Sequence, residues 1–148
     1  MNAAESTHSL RRAWIAGGGV VCLLALGLAA EVFSTRAVRQ SVGAYTALIA
    51  AANRQDLTAA GRLCTRRYLA AHPLRPAAEG GIVGLPRNIH KNFQAWRHGK
   101  DVWICPTDRV GPIYQFVYET DGWRFDGPAG ILRARGEIVP AGELPEGQ

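Results

Sequence analysis

The stretch Ile113–Gly127, IYQFVYETDGWRFDG, constrains the fold more than any other part of this chain. Its Asp121-Gly122 is a two-residue hairpin signal between two runs rich in aromatic and β-branched residues. Counting outward from that loop predicts Thr120 opposite Trp123, Glu119 opposite Arg124, Tyr118 opposite Phe125 and Val117 opposite Asp126. Strand alternation then places Tyr114, Phe116, Tyr118, Thr120, Trp123 and Phe125 on one surface. Ile113, Gln115, Val117, Glu119, Arg124 and Asp126 take the other. The first surface reads as core. The second is mixed, and its cross-strand Glu119–Arg124 pair is of the kind that contributes ~0.2–1 kcal/mol.

At 148 residues the chain has room for one domain with a real core and too little for two of ordinary size. The net charge is +5, and all of its 17 basic residues except Lys91 and Lys100 are arginine. These are spread along the chain without a stripe, so nucleic acid is not an expected partner. Arg62, Arg66 and Arg67 come closest to a phosphate patch, but a solvated helix face explains them as well. The 3 cysteines, Cys22, Cys64 and Cys105, lack CxxC or Cys/His spacing, and no metal or other cofactor is expected. Cys64 and Cys105 are a candidate disulfide for an exported domain; two separately buried thiols are the ordinary alternative.

The N-terminus divides into a polar tail, residues 1–12, and an uncharged apolar run, residues 13–30. As a helix that run would span roughly 27 Å, close to the ~30 Å of a bilayer's hydrocarbon core. Trp14 would lie at headgroup level beside Arg11 and Arg12. The expectation is a retained single-pass anchor through residues 13–30. A cleaved signal peptide is the alternative, because a charged start, an apolar middle and small residues at Gly27–Ala30 fit that pattern too. A short tail before the span and a long domain after it favour a domain outside the cytoplasm.

The remainder is expected to form one α+β domain over residues 34–135, with residues 136–148 as a disordered tail. Val38, Val42, Tyr45, Leu48, Ile49 and Ala52 predict an amphipathic helix from Arg36 to about Asn53. Asp56 is a good N-cap for a second helix, Leu57 to about Ala71, closed by His72-Pro73. Pro73–Asn88, with its prolines and glycines, reads as loop with one helical turn. Strands are predicted over Asn92–Arg97 and Val102–Cys105, followed by the hairpin. Ile131–Arg135 adds a short strand or helical turn.

This order of two helices and an antiparallel sheet carries a resemblance. Tyr45–Tyr68, YTALIAAANRQDLTAAGRLCTRRY, resembles the opening of NTF2-like domains, an aromatic-bearing helix, a short Asp-Leu break and a second helix. Gly122-Trp123-Arg124-Phe125-Asp126-Gly127 is similar to the last strand of that superfamily. The likeness covers roughly residues 36–127. It implies an NTF2-like, or cystatin-like, cone: a strongly curved antiparallel sheet wrapped around helices, with a pocket on its concave side. The superfamily includes isomerases, dehydratases, hydrolases and many non-catalytic domains, so the fold does not decide the function.

Isomerases of this superfamily use an Asp base with a Tyr and an acidic partner, and no such set can be placed here residue by residue. Asp126 and His90 are the candidate catalytic residues. The hairpin count puts Asp126 on the mixed surface, where a structural ion pair is the simpler role. His90 has no carboxylate at a helpful spacing. Tyr45, Tyr68, Trp96, Trp103 and Tyr114 are candidate pocket-lining residues, or simply core. The expected function is a membrane-anchored module that binds a small apolar ligand or a protein partner without catalysis. The half-polar sheet face also suits a homodimer. The alternative is a small pocket enzyme, a lyase or isomerase acting on an apolar substrate. If the hairpin is core, Trp123→Ala destabilises the domain by roughly 3–5 kcal/mol, measured by urea unfolding.

Overall fold

Helix α1 occupies residues 34–53 at the start of residues 34–143, the part of the chain described by this computed structural model. As the spacing predicts, it buries Tyr45, Leu48, Ile49, Ala51 and Ala52. Ser41 lies under the same stripe and satisfies its hydroxyl by donating to the Ala37 carbonyl at 2.9 Å. Asp56 caps α2 (Leu57–Arg62) by accepting from the Ala59 N–H at 2.9 Å. The single helix expected over Leu57–Ala71 is instead two, α2 and α3 (Arg66–Ala71).

The reason for the break lies in the sheet. Its strands are β1 (Gln94–His98), β2 (Asp101–Cys105), β3 (Gly111–Glu119), β4 (Gly122–Leu132) and β5 (Ile138–Pro140). One edge of β4 pairs with β3, which leaves Phe125 with free backbone groups on the other edge. Its N–H donates to the Leu63 carbonyl at 2.8 Å, and its carbonyl accepts from the Thr65 N–H at 2.9 Å. Those bonds replace helical ones. Thr65 Oγ1 then accepts from the Tyr68 N–H at 3.0 Å and starts α3. Strand pairing wins over helix continuity at Cys64.

The five strands form an antiparallel sheet in sequence order that curls into a half-barrel, compatible with a cone. The hairpin loop lies one residue earlier than predicted. Glu119 pairs with Gly122, Tyr118 with Trp123 and Phe116 with Phe125, so Thr120 and Asp121 form the turn. This register sets aromatic rings directly opposite one another, with centroids 5.6 Å apart for Tyr118–Trp123 and 5.8 Å for Phe116–Phe125. Moving the loop by one residue moves each cross-strand partner by two, so parity is kept. The predicted faces therefore survive near the turn although every predicted pair changes.

Two apolar clusters result. Tyr45, Leu48, Cys64, Tyr68, Val102, Ile104, Phe116, Trp123 and Phe125 pack together between helices and sheet. Cys105, Ile113 and Leu132 form a second cluster, with Trp96, Trp103 and Ala129 against it. Pro73–Asn88 contains no helical turn, although Ile82 and Leu85 reach the first cluster. The fifth strand falls inside the stretch expected to be a disordered tail. It pairs through Leu132–Ile138, Ile131–Val139 and Gly130–Pro140.

Among the described residues no helix is long and apolar enough to cross a membrane. The tail 1–12, the apolar run 13–30 and residues 144–148 lie outside them. At Gly130 an added Cβ would stand 2.3 Å from the Val139 carbonyl oxygen. Gly130→Ala is therefore expected to push β5 off β4 at a cost of about 1–3 kcal/mol. Hydrogen exchange should show faster loss of protection at Ile138 and Val139 than in β1–β3.

Candidate functional site

Asp126 owes its position to a bulge. Phe116 pairs with Phe125 and Gln115 with Gly127, so Asp126 is an extra residue that β3 does not oppose. Gly127 follows with φ +109°, and an added Cβ there would lie 3.3 Å from the Tyr68 ring. Only glycine combines that torsion with that proximity. The bulge sets the Asp126 carboxylate against the start of α3. Oδ1 accepts from Thr65 Oγ1 at 2.6 Å and from Arg67 Nε at 3.2 Å, and Oδ2 accepts from Arg67 Nη2. The Asp126 side chain is 5% exposed and the Arg67 side chain 75%. This carboxylate is an anchored ion-pair partner.

Beside it a cleft of about 440 Å³ opens on the surface. Arg67, Asp126, Lys100 and Asp101 line one part of it. Gln115, Val117, Tyr118 and Glu119 of β3 line the rest. The Gln115 amide donates to Asp101 Oδ2 at 2.8 Å. Sequence alternation marked Gln115, Val117 and Glu119 as a mixed surface but did not identify a cleft. In the sequence Arg67 stands out only as one member of an arginine cluster, and Lys100 only as one of two lysines. No local signal joins α3 to a bulge 59 residues later.

The expected pocket-lining residues are divided between the two apolar clusters. Tyr45, Tyr68 and Tyr114 belong to the helix-side cluster, whereas Trp96 and Trp103 pack with the other. Tyr45 stacks on Tyr114 at 6.1 Å and meets Phe116 edge-on at 5.9 Å. Its hydroxyl donates to the Asn88 carbonyl at 3.1 Å, and the Tyr68 hydroxyl donates to the Gly84 carbonyl at 2.7 Å. On the far side Trp96 and Trp103 meet edge-to-face at 6.3 Å, and His98 stacks on Trp103 at 3.7 Å.

His90 is exposed in the turn before β1, where its Nδ1 accepts from the Asn92 N–H at 3.2 Å. It is not brought together with Asp126. Cys64 and Cys105 are both free and buried, and they lie in different clusters. Among the described residues, no three His, Cys, Asp or Glu side chains converge to hold a metal ion.

Burial raises the pKa of the Tyr45 and Tyr114 hydroxyls above the ordinary phenol value and pushes that of the Tyr68 hydroxyl up to about 12. It also pushes the Cys64 thiol up to about 12, against a smaller opposing effect of the Arg124 charge. A raised value in the fold means that folding favours the protonated form. The corresponding stability is complete below the unfolded values, 9.0 for the thiol and 10.0 for the phenol, and is lost as pH climbs toward 12. Urea midpoints should accordingly fall between pH 9 and 12, and Cys64→Ser should remove the earliest part of that decline. Comparison of the chain with protein-family models, with curated proteins and with solved structures gave no match.

Proposed function

We propose that this chain is a membrane-tethered, non-catalytic recognition domain of NTF2-like architecture, anchored by residues 13–30 with the domain outside the cytoplasm. The observation that carries this reading is how the space between helices and sheet is filled. Tyr45, Phe116 and Phe125 are each 0% exposed there, and the Phe116 ring contacts the other two. The polar handles of Tyr45 and Tyr68 are engaged by loop carbonyls. Among the described residues the buried polar residues are Ser41 and Thr65, and the Asp126 carboxylate, its side chain likewise withdrawn from solvent, is committed to Thr65 and Arg67. An interior of this kind supports stability and shape, and it directs recognition to the outer surface.

The outer cleft is the surface that suits the task. It combines opposite charges and the Gln115 amide within reach of solvent. The uncharged run 13–30 supplies the tether, with Arg11 and Arg12 on the cytoplasmic side. The full chain is expected to sediment with membranes and to stay in the pellet after alkaline carbonate extraction. Recovery of a soluble form whose N-terminus lies near residue 30 would replace the tether with a cleaved signal peptide.

A further inference from the structure

We propose that the cleft beside the Asp126 bulge binds a small zwitterion of the α-amino-acid class; this rests on reading the cleft as the recognition surface. Its charges decide the ligand. Asp126 is engaged by Thr65 and Arg67, and Asp101 accepts from Gln115. Lys100 and Glu119 line the same cleft, and their side chains have no hydrogen-bond or ion-pair partner among the described residues. The cleft therefore presents one uncommitted ammonium and one uncommitted carboxylate.

Arg67 strengthens the anionic subsite. Asp126 takes its Nε and one Nη2 hydrogen, so the rest of its five-donor fork remains available in a fixed orientation. Holding that fork in place before binding lowers the entropy lost when a ligand carboxylate arrives. A simple anion would gain Arg67 and Lys100 but face three carboxylates, and a simple cation would gain those carboxylates but face the two positive charges. A molecule bearing both signs can place its carboxylate toward Arg67 and Lys100 and its ammonium toward Glu119. The volume of about 440 Å³ is near the lower end of small-molecule sites, which suits a single amino acid. Val117 provides an apolar contact for its side chain.

L-leucine is the probe, added to the full chain in detergent micelles and followed by isothermal titration. Acetate and isopentylamine serve as single-charge controls. Leucine should bind saturably with Kd on the order of 1 mM or tighter, and each control should bind at least about tenfold more weakly. Lys100→Gln and Glu119→Gln should each weaken leucine by about tenfold, with urea midpoints unchanged. Absence of saturable leucine binding overturns the proposal. So does acetate or isopentylamine binding as well as leucine, or leucine affinity unaltered in both variants. The same preparations are tested for carbonate resistance. Retention in the pellet without leucine binding overturns the ligand alone, whereas loss from the pellet overturns the tether.

Discussion

The backbone of Phe125 is the joint on which the domain depends. Its N–H and carbonyl bind Leu63 and Thr65, while the residue faces Phe116 across the sheet. Its ring touches Tyr68, Tyr114 and Phe116 and is fully buried. One residue thus closes the sheet against the helical layer through both main chain and side chain. Unpaired backbone groups in a buried place are costly, so the helical segment yields three residues to satisfy them. The division between α2 and α3 is a result of that demand.

The next residue turns the same constraint outward. With Phe125 held on both edges, the extra residue of β4 is displaced at Asp126, and Gly127 absorbs the torsion. The displaced carboxylate meets the Thr65 hydroxyl, whose oxygen also caps α3. Cap, bulge and ion pair therefore form one continuous network. It links the buried joint to the wall of the cleft, so the Arg67 fork is oriented by the core.

What the sequence made legible follows from the range of each signal. The periodicity from Val38 to Ala52 and the Asp56 cap are local, and the structure agrees with them. The aromatic hairpin was legible in its faces, because an error of one residue in the turn preserves parity. It was not legible in its register, because ring pairing outweighed the Asp-Gly turn preference. The split at Cys64 and the Arg67–Asp126 pair were hidden. Each depends on partners about sixty residues apart, and neither strand nor helix propensity encodes such a meeting. Tyr45 and Trp103, alike in the sequence as aromatic pocket candidates, pack in different clusters for the same reason.

The loop Pro73–Asn88 has an unexpected standing in this arrangement. It has no helix or strand, yet Tyr45 and Tyr68 reach into it from the core and hold its carbonyls at Asn88 and Gly84. Gln55 grips the carbonyls of Ala77 and Gly81 from another side, and Ile82 is 1% exposed. Lifting this segment would strand two phenolic hydroxyls and uncover an isoleucine at once. It therefore opens only together with the core. A protease that usually begins at irregular segments would find its first cut elsewhere on this protein.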